Sequence, residues 1–140
     1  MYLLDTNVVS ELRRPRPNVA VVRWFEHVQP EQLFLSALTI GEIQAGIELT
    51  REQDKAKADE IEAWLDEQVL DGHNILSMDA PAFREWARLM RRRSDTLAQD
   101  AMIAATARVH RLTVVTRNTR DFEDFDVSLL NPFATEPDAE

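Results

Sequence analysis

The chain has no cysteine among its 140 residues. That excludes disulfide scaffolds, thiol nucleophiles and cysteine-bound zinc together, and it fits a reducing compartment. No run approaches the ~20 consecutive apolar residues that a membrane-spanning helix requires. The opening Met1-Tyr2-Leu3-Leu4-Asp5 puts an acid where a secretory signal would carry its apolar core, so a soluble, cytoplasmic protein without membrane contact is expected. Lysine is nearly missing: Lys55 and Lys57 stand against fourteen arginines. The formal net charge of -9 argues against a broad affinity for nucleic acid, which comes mostly from counterion release by many cationic side chains. Two features soften that objection. A bound metal would neutralise part of the negative charge if it sits in one site. The cations present are also nearly all guanidinium groups, which offer phosphate a rigid fork and bases a planar face.

What is present reads as one domain, long enough to bury roughly two-thirds of its unfolded surface, without repeat or linker. Tyr2-Leu3-Leu4 is a short apolar run ending at Asp5, the pattern of a buried parallel strand. Thr6 or Asn7 caps a short helix through Leu12, and Pro15 and Pro17 force a turn over 13–17. Asn18 caps a helix with Val19, Val22, Trp24, Phe25 and Val28 inward. Leu33 to Ser36 is a second strand. Thr39, with Glu42 three residues on, has the spacing of a capping box. The charged stretch 51–60 leads into a helix carrying Ile61, Trp64, Leu65 and Val69. Asn74 to Ser77 is a third strand, and Asp79 caps a helix closed by Arg91, Arg92 and Arg93, where cations suit the helix dipole. Leu97 to His110 is a helix of small residues. Leu112 to Thr116 is the clearest strand, Asn118 to Glu123 a turn or short helix, and Val127 to Leu130 a last strand. Residues 135–140 read as a disordered acidic tail. Strands alternating with helices predict an α/β domain: a parallel sheet of four or five strands in a three-layer α/β/α arrangement.

In such sheets ligands sit beyond the carboxyl ends of the strands. The first strand runs into Asp5. The second reaches Ser36 and, further along the next helix, Glu42. The Val114-Val115 strand reaches Thr116, Asn118 and Asp121, and Asp100 is expected to open the second turn of the helix before it. Carboxylates gathered in one crevice repel unless something neutralises them. Mg²⁺, or Mn²⁺ in its place, is a hard cation suited to oxygen ligands. Such an ion supports hydrolysis of a phosphodiester by water. No Ser–His or Cys–His pair stands out.

These residues resemble a known family. Leu3-Leu4-Asp5-Thr6-Asn7-Val8 is similar to the first motif of PIN domains, especially the VapC-type toxins of bacterial toxin–antitoxin pairs. Thr39-Ile40-Gly41-Glu42-Ile43 resembles the second motif, and Gln99-Asp100-Ala101-Met102-Ile103-Ala104-Ala105-Thr106-Ala107 the third. Val115-Thr116-Arg117-Asn118-Thr119-Arg120-Asp121-Phe122 resembles the fourth, and Leu130-Asn131-Pro132 a familiar ending. The FitB-like subgroup is the most similar in pattern. The resemblance implies a PIN domain over 1–134 and a Mg²⁺-dependent endoribonuclease. Asp5 and Asp100 would be the principal metal ligands, with Glu42 completing the set or positioning water. Where many relatives carry an acid this chain has Asn118, with Asp121 three residues on; either fills the fourth position. Asn7, Thr116, Arg117, Asn118 and Arg120 are candidate substrate contacts, with Thr116 also a candidate donor to a carboxylate. The resemblance also implies an RNA substrate, a cognate VapB-type antitoxin, a homodimer, and a hetero-oligomer with the antitoxin on operator DNA.

Plainer readings stand beside these. Asp5, Glu42, Asp100 and Asp121 are each at positions where acids cap helices or turns. Arg84, Arg88, Arg91, Arg92 and Arg93 read first as a solvated helix end; Arg13, Arg14, Arg16, Arg117 and Arg120 are better placed for substrate. The tryptophans read as core or dimer interface rather than base-stacking platforms. Two rival functions are a catalytically inactive PIN-like binding module and a phospho-acceptor receiver domain. The second wants paired acids after the first strand and a lysine after the last, which this chain lacks.

Overall fold

The computed structural model describes residues 1–134. The expected acidic tail over 135–140 lies outside them. The strands are β1 (Tyr2–Leu4), β2 (Leu33–Ser36), β3 (Asn74–Leu76), β4 (Thr113–Val115) and β5 (Leu129–Leu130). They form one sheet in the order β3-β2-β1-β4-β5, with every pairing parallel. The helices are α1 (Thr6–Glu11), α2 (Val19–Glu26), α3 (Ala37–Arg51), α4 (Lys55–Trp64), α5 (Ala80–Leu89) and α6 (Ala98–His110).

The strands are apolar throughout because both faces of the sheet are covered. Successive residues point to opposite sides. Leu4, Leu35 and Val115 pack with Val8, Val9, Ile43, Ile47, Leu65 and Val69 on one face. Leu3 and Val114 pack with Ala101, Ile103, Ala104, Phe122 and Phe125 on the other. The alanines of α6 let its backbone approach the sheet closely. Trp24, Phe25 and Trp64 pack on the first core and Trp86 on the second. Among the described residues no helix is long and apolar enough to cross a membrane.

Several boundaries differ from the sequence reading, for physical reasons. Asp5, rather than Thr6 or Asn7, caps α1. Helix α3 begins at Ala37 because Ser36, at the strand end, accepts from the Leu38 N–H at 3.1 Å. Thr39 is therefore a buried residue inside the helix and not its cap. Much of the charged stretch is helical: α4 begins at Lys55, capped by Asp54. Arg51, at the end of α3, reaches Asp59 at 2.6 Å and Glu62 at 2.7 Å, tying α4 to α3. Beyond Trp64 the chain continues as a π-helical turn, Leu65–Leu70. Asp100 lies in the first turn of α6, after a 3₁₀ turn over Asp95–Leu97. Strand β5 is confined to Leu129–Leu130, because its pairing with β4 covers only Val114 and Val115. The caps expected at Asn18 and Asp79 are present.

The sheet grows one way from β1 through β2 to β3, then the other way through β4 to β5. The strand order reverses between β1 and β4, and the carboxyl ends of these two strands are where sheets of this kind bind ligands. Asp5 leaves one of these strands and Thr116 the other.

Candidate active site

Asp5 leaves β1 with its backbone tied to β4, its N–H donating to Val115 O at 2.9 Å. Its Oδ1 accepts from the Thr6 N–H at 2.8 Å. Its Oδ2 accepts from the Thr116 hydroxyl at 2.9 Å and from the Asn7 side-chain amide at 3.3 Å. Thr116 is fully buried, and its Oγ1 in turn accepts from the Asn118 N–H at 3.0 Å. Asn7 Oδ1 accepts from the Arg117 N–H at 3.1 Å. The segments after β1 and β4 are thus bound to each other by side chains, and Asp5 is held in one orientation. Asn7 and Thr116 spend their polar atoms on this internal network.

Glu42 lies in the second turn of α3, where its Oε1 accepts from the Thr6 hydroxyl. The Thr6 and Thr39 hydroxyls are 3.1 Å apart. Thr6 therefore couples Asp5, through its backbone N–H, to Glu42, through its side chain. Asp100 enters from the first turn of α6, half-buried. Burial first, then the charges of Asp5, Asp121 and Glu42, push its carboxyl up to about 6. Burial also raises Asp5, against the pull of its bonds to Thr116 and Thr6 and with a contribution from the Asp121 charge. Asp121 is exposed, in the 3₁₀ segment Thr119–Phe125. Asn118 is exposed beside it.

Asp100 thus lies within range of the charges of three acids from three other segments, and Asp5 within range of Asp121. Among the described residues, none of the four forms an ion pair. Nor do any three acidic or imidazole groups there close into a ready-made metal cage. The donors are all oxygen and their mutual repulsion has no cationic relief. This fits a Mg²⁺-sized ion that takes a few carboxylates and retains water, and does not fit a soft-metal site.

The arginines divide into two groups. Arg88 pairs with Glu85, and Arg93 bonds Leu89 O and Asp124 O, so these two serve the fold around α5. Arg14 pairs with Glu11, while Arg13 lines a groove that runs from Thr6 and Glu42 to Trp64. Arg120 is exposed, and Arg117 stacks over the Phe133 ring, its Cζ 4.4 Å from the centroid. The sequence reading took Thr6 only as a helix cap, although its hydroxyl beside a strand-end acid was a usable signal for the site. Glu11 was also passed over: it is only 6% exposed and accepts from the Asn18 N–H at 2.8 Å, closing the 13–17 turn. Nothing in its spacing marks it.

Residues 2–127 match the family model described as PIN domain. The toxin FitB of Neisseria gonorrhoeae is 37% identical over 139 residues, spanning 95% of this chain and 99% of that protein. A VapC ribonuclease, Y4jK, of Sinorhizobium fredii is 34% identical over 139 residues, spanning 95% and 98%. A solved structure of FitAB bound to an IR36 DNA fragment superposes with a TM-score of 0.85 at 35% identity, covering 97% of this chain and 98% of that one.

Proposed function

The chain belongs to the PIN domain family, and on that premise we propose that it is a Mg²⁺-dependent endoribonuclease, the toxin of a VapBC-type pair. The observation that carries this reading is the set of four carboxylates at the strand-order reversal, unpaired by any cation among the described residues, with Asp100 pushed up to about 6. The names of the relatives, a toxin and a ribonuclease, support it.

Asp5 and Asp100 would hold the ion, with Mn²⁺ able to replace Mg²⁺, and Glu42 would complete the set or position the attacking water. When bound, the ion supplies charge neutralisation at the phosphoryl oxygens and a more acidic water. The chain's own contribution is orientation. Thr116 and Asn7 fix the Asp5 carboxylate. Thr6 fixes one oxygen of Glu42, whose charge reaches Asp100, so that its carboxylate would complete the set or position the water. Asn118, through its carbonyl oxygen, or Asp121, through water, would fill the fourth position. Arg117 and Arg120, exposed on the segment after β4, would contact the RNA strand. Water adds to phosphorus, the bond to the 3′ oxygen breaks, and a 5′-phosphate and a 3′-hydroxyl result.

The proposed partners are RNA in the cytoplasm, a second copy of the chain, and a VapB-type antitoxin that joins it on operator DNA. The neighbouring FitAB–DNA structure supports the last of these. Asn118, an amide at the fourth position, favours the second reading of an inactive binding module. Cleavage of RNA by protein purified free of antitoxin separates the two. Activity should require Mg²⁺ or Mn²⁺ and fall by at least about 100-fold in Asp5→Asn and in Asp100→Asn. Cleavage that persists in chelator or in both variants would defeat the nuclease assignment.

A further inference from the structure

The segment that fixes Asp5 also fixes an arginine outside the acidic set. Arg117 follows Thr116 directly. Its N–H is held by Asn7 Oδ1 at 3.1 Å, and its carbonyl accepts from Asn131 Nδ2 at 3.5 Å. Asn131 also accepts from the Phe133 N–H at 2.9 Å, so one asparagine joins the backbone beside the site to the residue under the guanidinium. The Phe133 ring is half-buried and packed against the core on the Leu4 face of the sheet. The Arg117 Cζ sits 4.4 Å above that ring's centroid. Among the described residues Arg117 has no carboxylate partner, in contrast to Arg51, Arg88, Arg93 and Arg108.

A guanidinium stacked on a ring keeps its N–H edges pointing outward in its own plane, ready for two oxygens at once. In a chain of net charge -9 with an acidic crevice, a polyanion needs a local cation already in place to bind there. We propose that Arg117, held over the Phe133 ring and latched by Asn131, is a preformed clamp for an RNA phosphate flanking the one that is cut. The inference rests on the ribonuclease reading. It assigns Phe133 a positioning part through Arg117, and Arg117 a contact with the backbone rather than with a base.

The test measures binding of a labelled single-stranded RNA by fluorescence anisotropy across a salt series. The protein is the Asp100→Asn form with Mg²⁺ present, so that the strand stays intact. Adding Arg117→Ala should weaken binding and reduce the slope of log affinity against log salt by about 0.7, the loss of one phosphate contact on a single strand. Phe133→Leu keeps the charge and a similar apolar volume, so the slope should hold while affinity falls roughly 3- to 10-fold, as a preorganised group becomes free. A single uncharged methylphosphonate linkage should reproduce the Arg117→Ala loss and cost nothing further in that variant. An unchanged slope in Arg117→Ala would overturn the clamp. So would a loss that follows removal of a base instead of neutralisation of a phosphate, or failure of the whole series to bind an RNA that the native chain cleaves. If the native chain neither binds nor cuts RNA, the ribonuclease reading falls as well.

Discussion

Replacing Asp100 by asparagine should make the metal-free protein more stable, although it removes a residue central to the site. The Asp100 carboxyl is pushed up from 3.8 to about 6 by burial and by three like charges. Above neutral pH the folded chain must therefore carry an ionised group that the unfolded chain ionises more easily. About two units at ~1.4 kcal/mol each set an upper bound near 3 kcal/mol, and solvent screening of a half-exposed group reduces it to about 1–1.5 kcal/mol. For a chain of this size that is a rise in Tm of about 3–5 °C. The sign with pH follows from linkage. A carboxyl raised on folding contributes stability below its unfolded value and loses it as pH climbs through the folded one. The gap between variant and native chain should accordingly be near zero at about pH 4 and open through about pH 6. Thermal unfolding in chelator across this range measures it. Mg²⁺ should then raise Tm in the native chain, by about 2.7 kcal/mol of stability at a hundredfold excess over Kd, and much less in the variant. An Asp100→Asn protein that is no more stable at neutral pH, or that gains as much from Mg²⁺ as the native chain, would refute the crowded-carboxylate argument.

Two further outcomes follow from the same geometry. Thr116→Val removes the hydroxyl that lowers Asp5 and leaves the Asn118 N–H without its acceptor. Stability should drop by about 1–3 kcal/mol in urea, and the acid limb of the pH–rate profile should move to higher pH; a limb that stays in place would remove Thr116 from its part in setting Asp5. Gly72→Ala would bring a Cβ within 2.7 Å of the Gln68 carbonyl oxygen at the end of the π-helical turn. Backbone must shift to relieve it, at about 1–3 kcal/mol in urea unfolding, whereas native-like stability would show that the turn has slack.

The parts of this fold that could be read from sequence are those whose signals are local. Tyr2-Leu3-Leu4 is apolar on both sides, which marks a buried strand, and it stops at an acid. Asn18 and Asp79 are caps by residue type and position alone. Helix α3 was harder, because Ser36 and Thr39 are both capping residues three positions apart. The strand end decided for Ser36, which moved Thr39 into the core and Glu42 to the second turn. The start of α4 has a local signal in the Asp54 cap, but its docking on α3 rests on Arg51 reaching Asp59 and Glu62 across the break between the helices, which no propensity or periodicity within residues 51–60 announces. Within the site, Asp5, Glu42 and Asp100 were legible as acids near strand ends or helix starts. Their supports were not: the Thr6 hydroxyl meets Glu42 across 36 positions, and Phe133 meets Arg117 only after β5 has paired with β4.

The central claim is that a divalent ion is held jointly by Asp5, just beyond β1, and Asp100 of α6. Crystals soaked in Mn²⁺ and measured for anomalous scattering test it most directly. The claim requires a peak between the Asp5 and Asp100 carboxylates at about 2.0–2.4 Å from their oxygens, lost in Asp5→Asn. Manganese bound only elsewhere on the chain, or a peak at the crevice that survives that substitution, would contradict it.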